Sequence, residues 1–208
     1  STGMSGLTGV PVRYESVLQI LGSLKRSYGT SVTILGLSHS IDLSYQPTHK
    51  HLRTLDEHGV VELTKSGREV HCRLRRTTAC AVWLALHSLQ EHRRLLQAEG
   101  VTGALATSLS QTLSRCDSSG LQALALLEPE TPEAAPAIVL MACDEQSEEL
   151  QRRFAARSHA VDQRIEVQAY TVDQVATLSA TQRREWVVRG CALYGEQRFW
   201  QLTLQPTV

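Results

Sequence analysis

Apolar residues recur at helical spacing from Val12 to Ser27, at Val17, Leu18, Ile20, Leu21 and Leu24, before Tyr28-Gly29 breaks the run. The pattern predicts a first helix with one buried stripe. After a capping pair at Thr30-Ser31, the stretch Val32 to Ile41 reads as a short second helix with Ile34, Leu35, Leu37 and Ile41 inward. Asp42-Leu43-Ser44 interrupts it, and Ser44 is placed to cap a third helix from Tyr45 to about His58, stopped by Gly59. Two strands follow, Val60 to Thr64 and Glu69 to Leu74, joined by the basic tip Lys65-Ser66-Gly67-Arg68. Thr78 to Gln97 is a long helix with Ala81, Val82, Leu84, Ala85, Leu89, Leu95 and Leu96 apolar. Beyond Gly100 helices and strands alternate: helix Leu105 to Leu113, strands Leu121 to Leu127 and Ala137 to Ala142, helix Glu148 to Ala160, strand Ile165 to Tyr170, helices Val172 to Leu178 and Thr181 to Arg189. That order predicts an α/β layout with a small sheet.

The third helix carries the most information. Leu52 and Leu55 give it a buried side, whereas Gln46, Thr48, His49, Lys50, Arg53 and Thr54 make a long polar side near its start. Pro47 in the first turn costs no intrahelical bond. Such a face after a tight turn suits the major groove, because these side chains hydrogen-bond base edges and phosphates. The stretch Leu43-Ser44-Tyr45-Gln46-Pro47-Thr48-His49-Lys50-His51-Leu52-Arg53-Thr54-Leu55-Asp56-Glu57-His58-Gly59-Val60-Val61 resembles the recognition helix and first wing strand of MarR- and ArsR-like winged helix-turn-helix transcriptional regulators. The resemblance spans roughly residues 13 to 95. It implies that Ser44, Tyr45, Gln46, Thr48, His49, Lys50 and Arg53 enter the major groove of double-stranded DNA, while Lys65 and Arg68 on the wing touch the adjacent backbone or minor groove. In such regulators the long helix often pairs two subunits, so a homodimer is expected, with packing of the helix on the second domain as the alternative.

The second half bears a different resemblance. The strand Ile138 to Ala142, the helix rich in Glu and Arg, the strand Ile165 to Thr171 opening a helix at Val172-Asp173, and Arg189-Gly190-Cys191-Ala192-Leu193-Tyr194-Gly195 resemble the small nucleotidyltransferase fold. An active member needs a Gly-Ser turn for the nucleotide phosphates and two carboxylates on the next strand for Mg²⁺. Here the turn reads Leu127-Glu128-Pro129-Glu130-Thr131-Pro132, and the strand opens Ala135-Pro136-Ala137-Ile138. Glu128 and Glu130 have the carboxylate spacing but precede the strand, and Glu166 alone stands where a third carboxylate lies. The sequence therefore assigns no catalytic residue, no cofactor and no enzymatic activity, and leaves this half to bind an effector or a protein partner or to complete the dimer.

Charge and cysteines refine this picture. The 208 residues carry no net charge, yet residues 1–100 hold 12 Lys and Arg against 8 Asp and Glu, and residues 101–208 hold 9 against 13. The first half thus has the positive charge that phosphate requires. Cys72, Cys80, Cys116, Cys143 and Cys191 are scattered and odd in number, the usage of reduced thiols. His71-Cys72 with Cys80 offers zinc-type ligands, but a strand with its cysteines in the core and its histidine outside explains the same residues, and no metal is expected. Nothing in the chain reads as a membrane span or a secretory signal, which leaves a cytoplasmic protein as the expectation, and Ser1 to Gly3 before Met4 read as a tag remnant. The expected architecture is α+β: a winged helix-turn-helix over 10–77, a linking or dimerisation helix over 78–99, and a nucleotidyltransferase-like α/β domain without its catalytic motif over 100–208. A DNA-binding transcriptional regulator is the leading expectation. A nucleotide-handling enzyme or toxin-antitoxin component is the second, and a winged-helix protein-interaction module the third.

Overall fold

The computed structural model describes residues 14–115 and 119–206, so Val12, where the first helical pattern starts, the tag remnant and Cys116 lie outside the described residues. The chain is mixed α and β. In order it runs α1 (Glu15–Arg26), β1 (Val32–Thr33), α2 (Ile34–Ser40), α3 (Tyr45–Glu57), β2 (Val61–Ser66), β3 (Glu69–Leu74), α4 (Thr78–Gln97), α5 (Gly100–Arg115), β4 (Leu121–Leu127) and β5 (Ala137–Ala142). It continues through α6 (Asp144–Val161), β6 (Glu166–Thr171), α7 (Val172–Val175), α8 (Ala180–Arg189), β7 (Gly190–Tyr194) and α9 (Glu196–Leu204).

The first sheet has the order β1-β3-β2, all antiparallel. Its β1 corrects the expectation of a helix from Val32: Val32 and Thr33 pair with Cys72 and His71, and the helix begins only at Ile34. The cap is Thr33, whose hydroxyl accepts from the Gly36 amide at 3.0 Å, rather than Thr30-Ser31. Ile41 ends α2 as its C-cap, and Leu35 points outward at 52% exposure, so the buried side rests on Ile34 and Leu37. The β2–β3 ladder extends to the pair Ser66 and Glu69, which narrows the tip to Gly67-Arg68. Gly67 supplies the positive φ, +62°, that a two-residue hairpin turn needs.

The second sheet has the order β6-β5-β4-β7, with β5 parallel to β6 through the α6 crossover and β4 antiparallel to both neighbours. Its two central strands explain their unbroken apolar runs, because both faces are covered. Leu124, Leu126, Ile138 and Leu140 face one way into a cluster with Leu105, Leu109, Leu150 and Phe154 of α5 and α6. Ala123, Ala125, Val139 and Met141 face the other way, against Trp186, Phe199 and Trp200. That second cluster continues without a break through α4 to Leu18, Leu21, Leu52 and Val61 near the first sheet.

Several boundaries move. The helix expected over Leu105 to Leu113 is α5, longer at both ends, and that expected over Glu148 to Ala160 starts at Asp144, where Asp144 and Glu145 oppose the helix dipole favourably. The helix expected over Val172 to Leu178 stops at Val175. The sequence reading anticipated neither β7 nor α9. The glycine between them, Gly195, adopts φ +59° as the N-cap of α9, and a Cβ there would run into the Gln122 carbonyl oxygen.

Candidate nucleic-acid interface

The sequence-derived site residues fall on α3 and the β2–β3 hairpin. Helix α3 follows α2 after a short connection in which Asp42 takes a positive φ of 52°. Leu52 and Leu55 bury its inner side and fix which residues face out. Ser44, Tyr45, Gln46, Lys50 and Arg53 are exposed, His49 is half-buried, and the rings of Tyr45 and His49 stack at 5.8 Å. Thr48 departs from the expectation. It is fully buried, and its hydroxyl donates to the Ser44 carbonyl at 3.0 Å, so it belongs to the core side and has no outward surface.

Ser44 occupies the N-cap but makes no capping bond through its side chain. Its hydroxyl and the amides of Tyr45 and Gln46 therefore remain open at the positive end of the helix dipole, where an anion is favoured. Lys65 is the last residue but one of β2 and Arg68 sits in the two-residue turn, both exposed. Among the described residues no carboxylate pairs with Lys50, Arg53, Lys65 or Arg68. The carboxylates of the helix, Asp56 and Glu57, lie at its far end, and Asp56 is engaged by Arg75 at 3.4 Å. The outward side of the helix is thus polar in its first turn, cationic in its middle at Lys50 and Arg53 and acidic at its end, with the exposed Asp42 just ahead of it.

The carboxylates weighed in the second half do not converge. Glu128 follows β4 and is held by Arg94 at 2.8 Å. Glu166 is level with Ala137 on the neighbouring strand, which is itself level with Leu127, so about two strand spacings, roughly 10 Å, separate Glu166 from the end of β4. Glu130 is exposed in the β4–β5 connection, and every residue of β5 is apolar and buried. Among the described residues no group of three or more His, Cys, Asp or Glu is placed to hold a metal ion.

The cysteines beside the first sheet are core residues. Burial pushes the thiols of Cys72 and Cys80 up to about 12, which keeps both protonated, and Asp56 adds to the effect at Cys72. His71 instead contacts the Ser31 hydroxyl at 3.0 Å and Glu69 at 3.4 Å.

Sequence reasoning missed one grouping. Arg73, Arg75 and Arg76, at and just beyond the end of β3, share a cleft with Arg183 and Arg184 of α8. No spacing rule joins residues so far apart; only the double arginine at the start of a helix marked the second pair. No family model, curated protein or solved structure matches the chain.

Proposed function

We propose that this protein is a DNA-binding transcriptional regulator that reads duplex DNA through α3 and grips the backbone through the β2–β3 hairpin. The observation that carries the reading is the set of four exposed cations on α3 and the β2–β3 hairpin, Lys50, Arg53, Lys65 and Arg68, with which no described carboxylate pairs. Unpaired cations along a protruding helix and hairpin are what a phosphate backbone neutralises. The packing of α2 on α3 and the β1-β3-β2 sheet support a winged helix-turn-helix as the finer description. The parallel β5–α6–β6 unit, antiparallel to β4, supports a nucleotidyltransferase-like description of the second half. With Ala137 to Ala142 apolar throughout, that half lacks the paired carboxylates of phosphoryl transfer and is read as regulatory, in a cytoplasmic protein.

A homodimer belongs to the same reading. Val82, Leu89 and Leu96 stand exposed on α4 at seven-residue spacing, the repeat with which one helix seats against a copy of itself.

Selection of bound duplexes from a random pool tests the proposal, with an enriched palindrome as the expected product. Affinity for that duplex should fall steeply with salt, and replacing Lys50 and Arg53 together by Ala should abolish it. If both touch phosphate, any residual binding shows a salt slope shallower by about 1.8. Binding that is absent, or indifferent to salt and to these substitutions, overturns it.

A further inference from the structure

Between the C-terminal end of α1, the base of the β2–β3 hairpin and the start of α8 lies an open cleft of about 770 Å³. Five guanidinium groups line it, Arg73, Arg75, Arg76, Arg183 and Arg184, against one carboxylate, Glu62. Glu62 is taken by Arg73 at 2.6 Å, and Arg75 reaches Asp56. The other three are held by neutral carbonyls. Arg76 donates to the Leu204 carbonyl at 2.6 Å and the Gln205 carbonyl at 3.2 Å. Arg183 donates to the Thr203 carbonyl at 3.1 Å and the Gln205 side chain at 2.9 Å, and Arg184 to the Tyr28 carbonyl at 3.1 Å.

These bonds have a structural role, since Arg76 and Arg183 close the C-terminal end of α9. They also leave charge over. The two carboxylates and the helix end, about half a negative charge, offset only part of five cations, so the cleft keeps roughly two to three positive charges. Burial chiefly, and then the neighbouring charge of Arg76, lowers the pKa of Arg183. Each of Arg76, Arg183 and Arg184 retains N–H groups beyond those used on the carbonyls. A planar fork pinned on one side presents its remaining donors in fixed directions, which suits phosphate oxygens. Tyr28, Leu24 and Leu74 add an apolar wall on which a ring can rest.

We propose that this cleft binds a small polyphosphate anion of the nucleoside di- or triphosphate class, its phosphates on Arg76, Arg183 and Arg184 and its ring against the Tyr28 wall. The site lies away from the β4–β5 connection, where the nucleotidyltransferase resemblance puts its phosphates. Its walls join the segment leaving the hairpin to α8, so an occupant bridges both halves of the chain. Binding itself does not depend on the DNA reading.

Calorimetric titration of the full chain at low ionic strength in EDTA, with phosphate, pyrophosphate and ATP as probes, tests it. Pyrophosphate and ATP should bind, with ATP tighter and orthophosphate weaker than either. Arg184→Gln should weaken ATP about tenfold or more, the worth of one charge-assisted hydrogen bond. Arg184 is exposed and held by one bond, so the variant should keep the wild-type urea midpoint. Arg183→Lys, which keeps the charge but loses the fork, should also weaken ATP. Arg157→Gln, an exposed arginine on α6 outside the cleft, should change nothing. The proposal is overturned if neither pyrophosphate nor ATP binds at millimolar concentration, or if Arg157→Gln weakens binding as much as Arg184→Gln. Absent ATP binding with a loss of duplex affinity in Arg184→Gln would assign the cleft to the DNA backbone and equally overturn it. ATP binding without any duplex binding would sustain the cleft while removing the DNA reading.

Discussion

His87 offers the sharpest test of how this core is held. It lies on the inner side of α4 at 7% exposure, and its Nδ1 has no hydrogen-bond partner. It packs so closely on α1 that a Cβ at Gly22 would come within 2.9 Å of its Nε2. Burial, followed by the charges of Lys25, Arg26 and Arg94, pushes its pKa down to about 3. In the unfolded chain the same imidazole titrates near 6.5. A depressed histidine stays neutral when folded and takes a proton when unfolded, so its contribution is fully present above about pH 6.5 and is lost as the pH falls toward 3. At about pH 5 the unfolded imidazole is almost wholly protonated and the folded one is not, a loss of about 2 kcal/mol relative to pH 7.5. Urea denaturation of the wild type and of His87→Leu at those two pH values isolates this amount as the difference of differences. His92, whose pKa is also lowered chiefly by burial, is present in both proteins and cancels. Asp162, whose pKa is lowered by its bonds with Arg164, keeps its contribution above the ordinary carboxylate pKa and loses it only as the pH falls through and below that value, beneath both pH values of the test. If His87→Leu shows the same loss between the two pH values as the wild type, the buried neutral imidazole is not the cause and the argument fails.

Two further substitutions probe the junction of α4, β7 and α9. The Ser88 hydroxyl accepts from the Ala192 amide at 3.1 Å and the Trp200 indole at 2.9 Å, so Ser88→Ala orphans two buried donors and should cost about 2 kcal/mol or more in chemical denaturation. Gly195→Ala meets both the left-handed conformation and the Gln122 carbonyl, and should destabilise by more than about 2 kcal/mol. A wild-type urea midpoint in either variant would refute the corresponding contact. The loss of duplex affinity in the Lys50 and Arg53 double variant, and of ATP affinity in Arg184→Gln, complete the set.

Where periodicity and burial coincide, the sequence was legible. Helix α4 and strands β4 and β5 have the bounds that pattern alone assigns, because the helix is long and the strands are apolar throughout but for Gln122. Strand β1 was not legible, since two residues in front of a helix carry no period and are made a strand only by pairing with β3. Leu35 and Thr48 were misread for a shared reason. On short amphipathic helices the neighbours, rather than the residue type, decide which side is covered, so a leucine is left outside and a threonine taken in. Lys25 is the extreme case: it is buried, donates to the Val188 carbonyl at 3.3 Å and lies 5.9 Å from the Trp200 ring, all partners distant in sequence. Of the candidate interface, its exposed cations were readable from α3 and the hairpin. The arginine cleft was not, because it is assembled across more than a hundred residues of chain.

Helix α4 places Ala81 and Leu84 in one core and Leu95 in the other, and Ser88 between them is bonded to β7 and α9. A beam common to two rooms makes partition costly. A cut after α4 would lay bare the wall that Phe199 and Trp200 cover, and a cut before it would strip the second sheet of its support. The chain should accordingly melt in one cooperative step, and its two halves have to be inherited, exchanged or engineered as one piece. A loosened residue in either half is then registered by the other without any hinge or messenger between them.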